Sequence, residues 1–351
     1  MKKTIVLLLS VIVFISCKNE TKKKQVEKKI QPEIVEVASI KGEQLTGVTV
    51  SKNRMFVNFP RWRKDIKFSV AEVKANNDFV PYPDESWNQW KIGEEITDST
   101  FVAVQSVVSS KDKLYVIDTR NPLFQGVLKD PVIFVFDLNL NKLVKKYVLP
   151  KKTFFFNSYI NDIRIDPKRN LAFMTDSGHP GLVILDLGSG KAKRILTQQP
   201  STTAENIFLK IDGVEWKNKV HSDGIAIDLK NQKLYYHALT GYNLYALSID
   251  KIIHGTREEI ANSVELVAKT SAPDGMIIHN GILYYGDLEN HKIMQMNLAD
   301  KKVSVLVEGD KIKWADTFSV EGNELYFTNS RIHESAGDIS NLVYTVNKIK
   351  L

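Results

Sequence analysis

Three aspartates each stand immediately before a short apolar run: Asp223-Gly-Ile-Ala-Ile, Asp274-Gly-Met-Ile-Ile and Asp316-Thr-Phe-Ser-Val. Asn161, Gln105 and Thr46 hold the same place before Asp-Ile-Arg-Ile, Ser-Val-Val and Gly-Val-Thr-Val. Oxygen-bearing side chains that recur at one position suit a hard cation or a protonated amine, provided the fold makes them converge. Carboxylates gathered out of water repel one another, so a cation, a bound amine or a raised pKa has to relieve them. Asn161, Asp223, Asp274 and Asp316 are therefore the expected ligand-binding set, and Asn161, Asp223 and Asp274 the expected ligands of one divalent cation, calcium by preference. A plainer reading is that each Asp-Gly only caps a strand, its carboxylate accepting from loop N–H groups. His221, two residues before Asp223, is the candidate general base beside a metal-bound water, and Asp223 is the other catalytic candidate. Of the run Phe154-Phe155-Phe156 upstream of Asn161, Phe156 is the aromatic expected beside a ligand; the alternative is a plug between repeats.

What must position these residues is a repeat. Each is followed by an apolar strand, a polar turn and a second apolar strand, as in His221-Ser-Asp-Gly-Ile-Ala-Ile-Asp228 and Leu234-Tyr-Tyr-His-Ala-Leu239. Six such copies begin at Gly47, Gln105, Asn161, Asp223, Asp274 and Asp316, at intervals of about 40 to 60 residues, which is the spacing of four-stranded blades. The fold class expected is all-β, a six-bladed β-propeller, with the polar residue of each copy near one mouth of the central channel. The last strand, around Asn341–Val346, is expected to pair with the segment near Glu33–Val37 and close the ring, because an open propeller would expose strand edges. Pro60 should end a strand, since it cannot donate to a ladder. The aromatic, turn-rich segment Pro81–Trp90 reads as a loop on the surface. The long polar insertion at 197–221 is expected to cap a mouth, and Ile252–Glu259 to form a brief helical excursion.

With 351 residues, 43% of them hydrophobic and 25% charged, the chain has ample material for one large core. Its net charge of +7 is uneven: residues 1–29 hold eight lysines against two glutamates, and the rest of the chain carries only +1. The folded body is nearly neutral, so charge gives no reason to expect a nucleic-acid partner. Met1-Lys-Lys-Thr, the apolar run Ile5–Ile15 and Ser16-Cys17 form a signal of the bacterial lipoprotein type, in which Cys17 becomes the lipidated N-terminus. The domains expected are a signal at 1–17, a Lys-rich tether at 18–35 and a single propeller at 36–351. The expected location is extracytoplasmic, on the cell envelope, with a lipid anchor as the membrane contact and a monomeric body. Cys17 is the only cysteine, so no intramolecular disulfide is available. No Walker, Rossmann, zinc-finger or Gly-x-Ser-x-Gly pattern occurs.

Several of these motifs resemble the major royal jelly protein/yellow family: Gly47-Val-Thr-Val with Phe56-Val-Asn-Phe-Pro-Arg-Trp62, Leu234-Tyr-Tyr-His-Ala-Leu-Thr240, and Trp314-Ala-Asp-Thr-Phe-Ser-Val with Thr328-Asn-Ser-Arg331. The resemblance runs in order from about residue 40 to 346. It implies a six-bladed propeller whose channel mouth binds small molecules; some insect members bind aromatic amines and others are linked to dopachrome conversion. A more distant likeness is to gluconolactonase and paraoxonase propellers, which hold a divalent metal in the channel. Asn161-Asp, Asp223-Gly and Asp274-Gly-Met are similar to three of their ligand positions, whereas Thr46 stands where they carry a Glu. The leading expectation is thus a propeller that binds a small cationic or aromatic molecule. The alternatives are a metal-dependent lactonase or tautomerase-like enzyme using the same channel site, and a protein-binding scaffold.

Overall fold

A computed structural model describes residues 31–351. Six antiparallel sheets of four strands each form a six-bladed β-propeller, as the repeat predicts. The innermost strands are Gly47–Ser51, Val104–Ser110, Ile160–Asp166, Ser222–Asp228, Met276–His279 and Ala315–Glu321, and they contact one another in a ring. Blade 6 is composite. Its strands Ala315–Glu321, Glu324–Asn329 and Val343–Lys350 accept the N-terminal strand Val35–Lys41 as their outermost member, with Val35 facing Lys348 and Lys41 facing Val343. The expected closure is present, and it reaches further along the N-terminal strand than Val37. Ile34 is already buried against blades 5 and 6, so the folded body begins before residue 36. The signal at 1–17, Cys17 and tether residues 18–30 lie outside the described residues. Among the described residues no helix is long and apolar enough to cross a membrane.

The core is distributed as six wedges, one between each pair of neighbouring blades. Ile117, Ile133 and Val135 of blade 2 meet Ile163, Met174 and Val183 of blade 3, and the other five junctions are filled in the same way. A fully buried side chain of this size contributes about 1.5–3 kcal/mol, so the wedges hold the blades without disulfides. The junction of blades 1 and 2 overturns one expectation. Tyr82, Trp87 and Trp90 are buried, and Trp87 packs at 5.0 Å from Phe101, 5.2 Å from Phe134 and 5.1 Å from Phe136. The segment is a loop whose Asp84, Glu85, Ser86 and Gln89 are exposed, while its aromatics turn inward: Tyr82 and Trp87 join the strand residues of that wedge, and Trp90 packs on Val102 and Ala103. Arg54–Asn58 ends before Pro60, as expected. The excursion of blade 4 consists of two short helices, Ile249–His254 and Arg257–Asn262, the second opened by a Thr256/Glu259 capping box.

The Asp-Gly pairs owe their glycines to crowding at the axis. A Cβ on Gly275 would lie 2.2 Å from the Asp316 carbonyl oxygen, to which the Gly275 N–H donates at 2.7 Å. A Cβ on Gly224 would lie 2.3 Å from the Asp274 carbonyl oxygen. Gly275→Ala should therefore destabilise the fold by about 1–3 kcal/mol in a denaturant melt. Gly337→Ala is the control, because a Cβ there meets nothing within 4 Å.

Candidate functional site

The ring residues are aimed by β-bulges. Pairing between the first two strands of a blade slips at Gln105, at Asn161-Asp162, at Asp223-Gly224 and at Asp316-Thr317. An extra residue at the start of an inner strand turns a side chain out of the alternating pleat, here toward the axis. Asp274 achieves the same from the residue pair just before Met276–His279. Blade 1 has no slip, its register running evenly from Gly47–Asn58. The Thr46 hydroxyl there accepts from Asn58 Nδ2 at 3.2 Å, and the neighbouring Gln44 lines the cavity. Residues opposite the bulges knit the ring: Thr175 Oγ1 donates to the Asp223 carbonyl at 2.7 Å, and Thr328 Oγ1 to the Thr46 carbonyl at 2.6 Å.

Asn161, Asp223, Asp274 and Asp316 converge on one cavity of about 720 Å³ at the channel mouth. Asn161 Nδ2 donates to Asp223 Oδ1, and the Asp223 and Asp274 carboxyl groups hydrogen-bond to each other. Trp314 Nε1 donates to Asp274 Oδ2 at 2.6 Å, and Thr317 Oγ1 to Asp316 Oδ1 at 3.2 Å. Burial, reinforced by neighbouring carboxylates, pushes Asp223 and Asp316 well above the ordinary carboxylate range. Burial also raises Asp274, to about 6, although the Trp314 indole and the Asp223 contact oppose it. The Asp223–Asp274 pair is thus a coupled carboxyl pair that shares a proton. Beside the ring, Asp162 is paired with Arg164 at 2.8 Å, and Arg164 reaches across to the Met276 carbonyl of blade 5 at 2.7 Å.

The cavity wall is aromatic. Trp62, Phe124, Tyr159 and Trp216 line it, Phe124 stacking on Trp62 at 5.6 Å and lying 4.7 Å from Tyr159. Arg63 and Lys219 add positive charge to the lining, Arg63 being bound to Gln44 Oε1 at 2.8 Å and to the Ser335 carbonyl. The 197–221 insertion lies at the mouth, as its length suggests. It carries the hairpin Leu209–Ile211/Val214–Trp216, which packs with Leu239, Leu288 and Trp314, and its Trp216, Asn218, Lys219 and Val220 line the cavity.

Two expected site residues stand apart from these walls. His221 is half-buried, takes the Ala204 N–H on Nδ1 at 3.1 Å, and has its imidazole pKa lowered chiefly by burial. Phe156 is 73% exposed and covers Gly126, while Phe155 stacks on His179 at 3.8 Å. The loop-capping task is done by other aspartates, at the ends of second strands. Asp118 accepts the N–H groups of Val102, Ala103 and Arg120, and Asp176 those of Tyr159, Gly178 and His179. Trp62, Tyr159 and Trp314 were not singled out as site residues by sequence. Trp314 carried one available signal, as a large residue two before Asp316, and its backbone is left-handed at φ +70°, a conformation bulky residues rarely adopt.

Comparison with known proteins places this geometry. The Major royal jelly protein family profile matches residues 102–347. Major royal jelly protein 6 of Apis mellifera is 23% identical over 230 residues, covering 61% of this chain and 50% of that protein. Protein yellow of Drosophila guanche is 28% identical over 238 residues, covering 61% of this chain and 40% of that protein. The chain spans half or less of the length of these curated relatives. Among solved structures, a luciferin-regenerating enzyme superposes with a TM-score of 0.58 at 13% identity, covering 91% of this chain and 95% of that one. Virginiamycin B lyase from Staphylococcus aureus gives a TM-score of 0.51 at 12% identity over 91% of this chain and all of that one. Such identities show a shared fold alone. Since the profile match covers most of the chain and both relatives are of the same kind, the chain belongs to the major royal jelly protein family.

Proposed function

We propose that this propeller is a receptor for a small organic amine, bound ammonium-first at the mouth of the channel. The observation that carries the reading is the pairing of a buried acidic floor with aromatic walls in one cavity. Asp274 supplies the charge, Asp316 and Asp223 supply oxygens, and Trp62, Phe124, Tyr159 and Trp216 supply faces that attract a cation and its apolar body. The Met1–Cys17 pattern supports an extracytoplasmic, lipid-anchored protein.

Calcium fits the arrangement less well. A calcium ion takes 6–8 oxygens. Here Asn161 presents N–H to Asp223, and two of the carboxyl groups are bound to each other. Among the described residues no group of three or more His, Cys, Asp or Glu side chains is placed to hold a metal. A second reading, tautomerase-like proton transfer, is favoured by one feature: the Asp223–Asp274 pair can give a proton from one carboxyl and take one on the other.

Calorimetry of the full chain with phenethylamine, N-acetylphenethylamine and calcium tests the proposal. Phenethylamine should bind one to one, at least about tenfold tighter than its acetylated form, which lacks the charge. Equal affinity for the two would sink the amine reading. Conversion of the enol of phenylpyruvate, lost in Asp223→Asn, would establish the enzymatic one.

A further inference from the structure

The hydrogen bonds behind the acidic floor run in one direction. An indole N–H donates and cannot accept. Trp62 Nε1 donates to the Tyr159 hydroxyl oxygen at 2.6 Å, so that hydroxyl is free to pass its own proton onward, to Gln105 Oε1 at 2.9 Å. Gln105 must then use its amide nitrogen on Asn161 Oδ1, at 2.8 Å, and Asn161 must present its own nitrogen to Asp223. In this orientation every link pairs one donor with one acceptor, and the Tyr159 hydroxyl spends its proton on Gln105. On the far side of the carboxyl pair a second indole, Trp314, donates to Asp274. The pair is thus bracketed by N–H groups on its two outer oxygens, Asp223 Oδ1 and Asp274 Oδ2.

We propose that the relay Trp62–Tyr159–Gln105–Asn161 sets the class of ligand, admitting one ammonium group and rejecting a divalent metal ion, with Asn161 as the deciding residue. The proposal rests on the reading of this site as an amine receptor. An ammonium group is a donor of single charge, and it needs only the acceptor oxygens that the relay leaves facing the cavity. A divalent ion would need the Asn161 oxygen, which Gln105 occupies, and would meet the Asn161 N–H directed at Asp223. Turning the Asn161 amide would set nitrogen against nitrogen at Gln105 and draw the proton that Asp223 shares with Asp274 onto the Asn161 oxygen, at a buried position. The charged groups around the ring agree with single charge. Asp223 and Asp274 share a proton, burial pushes Asp316 toward its neutral form, Asp162 is paired with Arg164, and Arg63 and Lys219 stand in the cavity lining.

The test compares calcium binding by the full-length protein and two variants, using calorimetry and the calcium-induced shift in melting temperature. Asn161→Asp replaces the donor with oxygens that Gln105 Nε2 can still bind, and should bind calcium at least about tenfold tighter than the parent protein. Tyr159→Phe adds no charge but removes the link that orients Gln105, and should raise calcium affinity about threefold or more. A parent protein that binds calcium as tightly as both variants would overturn the proposal. So would a gain in Asn161→Asp with none in Tyr159→Phe, since charge alone would then explain discrimination. Should Asn161→Asp fail to fold, Tyr159→Phe decides by itself. These outcomes do not depend on phenethylamine. If no amine binds but the variants gain calcium, the amine reading fails and the relay stands; if amine binds and neither variant gains calcium, the relay fails and the amine reading stands.

Discussion

Asp274→Asn should lower the affinity for phenethylamine by roughly 100- to 4000-fold. Breaking a buried ion pair by removing one partner costs about 3–5 kcal/mol, and about 1.4 kcal/mol is tenfold in affinity. Asp274 is the member of the ring that carries charge near neutral pH, since its pKa of about 6 is the one left within reach when burial drives Asp223 and Asp316 higher. The asparagine oxygen can still accept the Trp314 N–H, so the fold is preserved and the loss reports charge. The same group fixes the pH dependence. Binding draws on ionised Asp274, so affinity in the parent protein should fall as pH drops through about 6, with proton release on binding in that range. The Asp274→Asn variant should show a flat profile between about pH 5 and 8. Arg63, Lys219 and the Asp162–Arg164 pair are common to both proteins and drop out of the comparison. Calorimetry in buffers of different ionisation enthalpy counts the protons released. A variant within about threefold of the parent would mean that the ammonium does not sit on Asp274.

Much of this architecture was legible because a propeller writes its period into the chain. Each inner hairpin repeats the same polar-to-apolar step, so the sequence shows six copies and a ring, and in four of the six the residue at the step is the one that a bulge turns to the axis. The exception is instructive. Thr46 occupies the equivalent place but is buried outside the cavity lining, its hydroxyl held by Asn58; blade 1, like blade 5, pairs without a slip, and only Asp274 of these two reaches the cavity. A bulge depends on the partner strand, and neither strand alone encodes it. The same limit applies to irregular segments, where no alternation says which side chain points inward. Tyr82, Trp87 and Trp90 looked like surface loop and are core, whereas of three consecutive phenylalanines the last, Phe156, is the most exposed. Tyr159 and Trp62 leave no such mark in the chain, being distant in sequence from Asp223 and joined to it only through other side chains. Their connection exists only through Gln105 and Asn161, after blades 1, 2 and 3 have met.

A floor of buried carboxyl groups should also be visible as lost stability, and Asp316→Asn should recover it. The Asp316 pKa is raised, first by burial and then by Asp274, so the folded state keeps a proton that the unfolded chain releases near its ordinary value. Stability therefore declines as pH rises from the unfolded pKa toward the folded one, and the decline is complete only above the latter. Asparagine resembles the protonated acid and has nothing to release, and its oxygen can still accept from Thr317 Oγ1. The variant should melt a few degrees higher than the parent at about pH 8, a gain on the order of 1–2 kcal/mol, as is common when a strained functional group is removed. The gap should narrow as pH is lowered and close toward about 3, below the ordinary aspartate pKa, where both unfolded and folded Asp316 are largely protonated in the parent. Scanning calorimetry of the two proteins across this range would settle the matter, and a variant no more stable than the parent at about pH 8 would show that the carboxyl group finds relief within the fold itself. Phenethylamine supplies the complementary control. Bound on Asp274, which both proteins retain, it should raise the melting temperature of parent and variant alike, so that the ligand-induced shift reports Asp274 and the difference without ligand reports Asp316.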